Sequence, residues 1–186
     1  MDELASYNGD IRKMAYASLF AAMIAVGAYI RIPLPFSPVP ITLQVLFVLL
    51  AGAMLGARWG TLSVVVYLLL GIAGLPVFSG GSSGIGVVLG PTGGYLIGFL
   101  VAAFLIGAMS QRNGISRPLY NVLYMLAGTF IIFLFGASYL MHSAQLTFSE
   151  GMALGVIPFI PGGIIKIALA SLIASRYSLK EHNDTN

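Results

Sequence analysis

The 186-residue chain has no cysteine, six acidic residues, two histidines and one tryptophan, and charged side chains make up 8% of it. Without cysteine there are no disulfides and no thiolate metal sites. The acids are Asp2, Glu3, Asp10, Glu150, Glu181 and Asp184, and of these Glu150 alone lies outside the polar ends. The paired carboxylates of acid–base catalysis are therefore missing, and His142 and His182 are too far apart for a helical zinc motif. An enzyme is not expected, and neither a cofactor nor a metal. G-x-x-x-x-G-K-[ST] does not occur, so any ATP-driven step requires separate subunits, and Gly84-Ile-Gly-Val-Val-Leu-Gly90 lacks the spacing of a dinucleotide fingerprint. The nine Lys and Arg residues are scattered singly, which argues against nucleic acid as a partner.

Apolar surface is what the chain has in excess: 58% of residues are hydrophobic and the mean hydropathy is +0.94. A domain of this size has too little interior to hide that surface from water, so the lipid bilayer is its solvent. About 20 apolar residues span a bilayer as a helix. Counting such runs predicts an all-α membrane protein, one integral domain over 1–186, with six transmembrane helices at about 14–31, 41–57, 60–76, 93–110, 118–141 and 156–176. The first run is too long for a signal-peptide core and has no A-x-A site before Arg31, so it is read as an uncleaved helix. Arg12, Lys13, Arg58, Arg112, Arg117, Arg176 and Lys180 fall on the side of the termini, and only Arg31 and Lys166 fall elsewhere. By the positive-inside rule both termini are cytoplasmic. The Pro-rich segment 32–40, the Gly-rich segment 79–95 and the segment 142–155 are then irregular outer loops that form a ligand pocket. The ends, 1–10 and 178–186, read as frayed tails.

Specific recognition is expected among the few polar groups in these apolar surroundings. Lys166 follows Pro158, Pro161 and Gly162-Gly163, which puts it in the first turns of the last helix. A lysine in a span costs a few kcal/mol unless it is paired or hydrated, and beside a helix N-terminus it suits an anion such as a ligand carboxylate. The structural alternatives are snorkelling to the interface and pairing with Glu150. In the Gly-rich loop, Gly81, Ser82, Ser83, Gly84, Thr92 and Gly93 offer backbone amides and hydroxyls to a ligand, while Gly98 reads as helix packing. Gln44 has two readings, ligand contact or a tie between helices, and Tyr95 reads as a pocket wall or an interfacial belt residue. Ala17, Ala21 and Ala25 form a small-residue strip on the first helix, for internal packing or for docking to another subunit.

Taken together, Val39-Pro-Ile-Thr-Leu-Gln44, Leu75-Pro-Val-Phe-Ser-Gly-Gly81, Leu89-Gly-Pro-Thr-Gly-Gly-Tyr-Leu-Ile-Gly-Phe99 and Pro158-Phe-Ile-Pro-Gly162 followed by Lys166 resemble the BioY family, the biotin-binding S components of prokaryotic energy-coupling factor (ECF) transporters. The resemblance runs from the first span to the last. It implies a prokaryotic cell-membrane protein that captures biotin from outside, partnered by a coupling transmembrane subunit and two ATPases. It also favours the docking reading for Ala17, Ala21 and Ala25. One position departs from the family pattern Pro-Gly-Asp-x-x-Lys: Gly163 stands where the Asp is expected, so no role of that acid carries over. An S component for another small vitamin, or an intramembrane enzyme using Lys166, Glu150 and His142, remain as alternative readings.

Overall fold

The computed structural model describes residues 2–113 and 118–177, and Arg117 and Lys180, which entered the topology argument, lie outside them. In chain order the elements are α1 (Asp2–Tyr29), β1 (Arg31–Leu34), β2 (Ser37–Thr42), α2 (Gln44–Ile72), α3 (Ile85–Val88), α4 (Gly93–Asn113), α5 (Pro118–Ser143), α6 (Phe148–Gly155), a single 3-10 turn (Ile157–Phe159) and α7 (Ile160–Arg176). Five helical stretches are long and apolar enough to cross a membrane. One of them supplies two arms. Within α2, Gly56 has φ 79° and ψ −177°, a backbone conformation that side chains with a Cβ rarely adopt, and the chain reverses there. The reversal is demonstrated by Gln44 Nε2 donating to the Tyr67 hydroxyl at 2.5 Å, because 23 residues of straight helix would separate them by roughly 35 Å. The two arms, 44–55 and 57–72, correspond to the expected second and third spans, with the turn at Gly56 rather than at Arg58-Trp59.

Helical periodicity explains which faces are buried. On α5 the exposed Leu119, Leu123, Leu126, Phe130 and Leu134 recur every three or four residues, while Met125, Gly128, Thr129, Ile132 and Gly136 point inward. A stripe of large apolar side chains left outside a packed core is a lipid-facing surface. Helix α4 packs between α2 and α5, and α7 packs against both α2 and α5. Close approach is allowed by small residues: a Cβ on Gly136 would run into the Tyr95 ring, and one on Gly107 into the Gly56–Ala57 backbone.

Several local expectations are corrected. The N-terminal segment is helical from Asp2, so residues 2–10 are not a frayed tail, although the span itself begins at about Gly9. The Pro-rich connection forms a two-stranded antiparallel hairpin with Arg31 opposite Thr42, a minor β element in an otherwise helical chain. The segment 142–155 is largely helix α6, started by a capping box: Thr147 Oγ1 accepts from the Glu150 amide at 3.4 Å, and the Glu150 carboxylate accepts from the Thr147 amide at 2.8 Å. The hairpin, the Gly-rich loop and α6 gather at one end of the bundle. Ser37 Oγ donates to the Leu154 carbonyl at 2.8 Å, and the Tyr29 hydroxyl donates to the Pro76 carbonyl.

Candidate ligand-binding site

The loop after α2 makes a tight turn. The Phe78 amide donates to the Ser82 carbonyl at 3.0 Å, the Gly81 amide donates back to the Phe78 carbonyl at 3.0 Å, and the Ser82 hydroxyl caps the Ser79 carbonyl at 3.0 Å. Gly80 has φ 76° and lies under the Arg31 guanidinium, where a Cβ would collide. This turn drives the Phe78 ring into the bundle, where it is 1% exposed and meets Tyr67 edge-on at 5.6 Å. Behind it, between the hairpin, α2, α4, α5 and α7, lies a cavity of about 700 Å³ including its open mouth.

The cavity walls are apolar and aromatic, with Phe78, Tyr95, Phe99, Phe133 and Phe159 among them. Tyr95 and Phe159 sit 6.2 Å apart, and Phe133 and Phe159 6.4 Å apart. Polar lining comes from Thr42, Gln44, Ser79, Thr92, Thr129 and Lys166. Among the described residues Lys166 is the one charged side chain on the wall. It is half-buried, and among the described residues it has no hydrogen-bond or ion-pair partner. Glu150 is engaged instead by the Thr147 amide and hydroxyl, at 2.8 and 2.7 Å. The pairing of Lys166 with Glu150 is thereby removed as an alternative.

Of the residues proposed from sequence, the structure brings Gln44, Thr92, Tyr95 and Lys166 together on the cavity wall. Gln44 ties the arms of α2 through Tyr67 and also lines the cavity, its Oε1 accepting from Thr42 at 3.1 Å. Tyr95 is a wall residue rather than a belt residue, and its hydroxyl donates to the Gly155 carbonyl at 2.6 Å. Gly81, Ser82, Ser83, Gly84 and Gly93 do not line the cavity. Gly81, Ser82 and Gly84 form the turn that places Phe78 and Ser79, Ser83 is exposed on it, and Gly93 lies against the Val88 carbonyl. Gly98 packs on Ile132 as expected. Sequence reasoning missed Ser79, Thr129, Phe133 and Phe159. Thr129 is the single threonine of α5, on an inward face whose other polar side chains are Asn121 and Tyr124.

Ala17 and Ala21 are each 2% exposed and Ala21 belongs to the core, so these methyls serve packing within the chain, with Ala25 partly buried beside them. The small residues that α1 leaves exposed are Ala15, Ser18 and Ala22.

Gly163 lies on the wall one turn before Lys166, and a Cβ there would stand 4.0 Å from both Phe133 and Thr129. The site has room for a larger residue. Its aromatic walls and few polar groups equip the cavity to enclose and orient a small molecule. Fold and site define a multi-pass membrane protein that encloses a small ligand in an aromatic cavity at one end of a helical bundle.

Comparison with known proteins narrows that class. The sequence model of the BioY family matches residues 1–181, and the chain belongs to this family. It is 40% identical to the biotin transporter BioY of Thermotoga maritima, over 89% of this chain and 95% of that one. It is 41% identical to the biotin transporter BioY of Rhizobium etli, over 87% and 90%. Its fold matches the crystal structure of the S-component for biotin from an ECF-type ABC transporter, with a TM-score of 0.85 and 33% identity over 91% of this chain and 92% of that one. These relatives are transporters, not enzymes.

Proposed function

We propose that this chain is the biotin-capturing subunit of an ECF-type uptake system in a prokaryotic cell membrane, driven by a coupling transmembrane subunit and two ATPases. The observation that carries the reading is the aromatic cavity with Lys166 as its lone cation, unpaired among the described residues. Biotin combines an apolar sulfur-containing ring, a hydrogen-bonding ureido group and a carboxylate, and the cavity offers aromatic walls, hydroxyls and one ammonium in return. In the low dielectric of a half-buried site an unpaired ammonium attracts a carboxylate strongly, so Lys166 takes the carboxylate. The concentration of Arg12, Lys13, Arg58, Arg112 and Arg176 toward the end opposite the cavity supports cytoplasmic termini and entry of biotin from outside. For the coupling subunit, the exposed small face of α1 at Ala15, Ser18 and Ala22 is the sterically open one. Isothermal titration of the purified protein in detergent, without ATP, is expected to show saturable biotin binding at one site. Absence of binding by well-folded protein, or tighter binding of a different vitamin from a panel, refutes the assignment.

A further inference from the structure

Thr129 on α5 is 6% exposed and lines the cavity, yet its Oγ1 has no hydrogen-bond partner. Several other helical hydroxyls turn back onto the preceding turn: Ser63 donates to the Gly60 carbonyl at 2.7 Å, Ser110 to Gly107 at 3.0 Å and Ser175 to Ser171 at 2.7 Å, while Thr61 on α2 is unpartnered like Thr129 but does not line the cavity. That back-bond is the ordinary way for a hydroxyl to be satisfied within a helix. Thr129 forgoes it, and a buried orphan hydroxyl is unfavourable until something supplies its partner.

The other polar side chains on the wall show what is lacking. The Lys166 ammonium donates and cannot accept. Gln44 Oε1 accepts from the Thr42 hydroxyl, which is held in that bond, the Tyr95 hydroxyl is directed at the Gly155 carbonyl, and Thr92, just before α4, is only half-buried. Among the described residues no carboxylate lines the cavity, and Gly163, whose Cβ would stand 4.0 Å from Thr129 Cγ2, adds no side chain that would shield the hydroxyl. Ser79 Oγ is likewise buried and unpartnered, but it comes from the loop after α2 and not from the α5–α7 wall. A ligand N–H that reaches the α5–α7 wall therefore meets Thr129 Oγ1 as its deeply buried side-chain acceptor.

We infer that Thr129 contacts the ligand and determines specificity, its Oγ1 accepting a hydrogen bond from a ring N–H of the bound molecule, a ureido N–H in the case of biotin. The inference rests on the biotin reading above. It holds whichever group Lys166 meets, since an ammonium accepts from none.

The test uses the full-length protein carrying Thr129→Val, which keeps the shape and removes the hydroxyl, and Thr129→Ser, which keeps the hydroxyl. Titration calorimetry is run with biotin and with biotins methylated at one or the other ureido nitrogen. Thr129→Val is expected to weaken biotin about tenfold or more, the size of one hydrogen bond lost with its ligand donor left buried. Thr129→Ser should largely restore affinity. The gap between wild type and Thr129→Val should close for the biotin whose contacting N–H is methylated, and the ligand-free Thr129→Val protein should melt at the wild-type temperature or above. Wild-type biotin affinity in Thr129→Val overturns the inference, as does an equal loss in Thr129→Ser and Thr129→Val accompanied by a lower melting temperature. Failure of the wild-type protein to bind biotin removes the ligand reading itself, and this inference with it.

Discussion

Replacing Lys166 by methionine removes the cavity's one charge while keeping a flexible apolar stem of similar length. A charge-assisted hydrogen bond to a ligand is worth about 1.5–3 kcal/mol, so Lys166→Met is expected to raise the biotin Kd roughly 10- to 150-fold. The effect must depend on the ligand's charge. Biotin amide has no carboxylate, so it should bind the wild type more weakly than biotin does and lose little further affinity in the variant. A second consequence follows from the absence of any partner for Lys166 among the described residues. Removing a half-buried, unpaired ammonium relieves its desolvation, so the ligand-free variant should melt at a higher temperature than the wild type. Calorimetry with the two ligands and a thermal-unfolding series in detergent measure both. Equal losses for biotin and its amide would refute the carboxylate role, and a lower melting temperature without ligand would mean that Lys166 holds the structure together.

Other outcomes follow from the packing. Gly56→Ala should destabilise the protein by about 1–3 kcal/mol, because the reversal of α2 requires φ 79°, whereas Gly163→Ala should melt with the wild type because its added Cβ reaches only ordinary contact at 4.0 Å; parallel melts decide between them. Tyr95→Phe should cost about 1–2 kcal/mol in thermal stability, since it leaves the buried Gly155 carbonyl without its donor. Glu150→Ala should lower the melting temperature slightly through loss of the α6 capping box and leave biotin affinity unchanged, which also checks by titration that Glu150 is no partner of Lys166.

Residues whose character is set locally are legible in the sequence. Lys166, flanked by apolar residues and preceded by prolines and glycines, marks a costly charge near a helix start, and Gln44, Thr92 and Tyr95 stand out for the same reason. Composition locates the Gly-rich loop but does not give its role. Its glycines permit a turn whose product is the inward placement of Phe78 and Ser79, an outcome that depends on Tyr67, Gly71 and Arg31 from distant parts of the chain. The strip of Ala17 and Ala21 could face a partner or the chain's own core, since spacing identifies a face without saying what lies against it.

Transfer free energies and helical period are properties of short stretches. They suffice to make this a membrane protein, to place its apolar helices, to show which end carries the positive charge and to single out polar groups too few to be incidental. Long-range packing is what folds α2 back on itself at Gly56, gathers Thr129, Phe133 and Phe159 into one cavity with Gln44 and Lys166, and commits the Glu150 carboxylate to its own helix. Those outcomes depend on how five apolar stretches rotate and pack against one another, and contacts between residues far apart in the chain settle that.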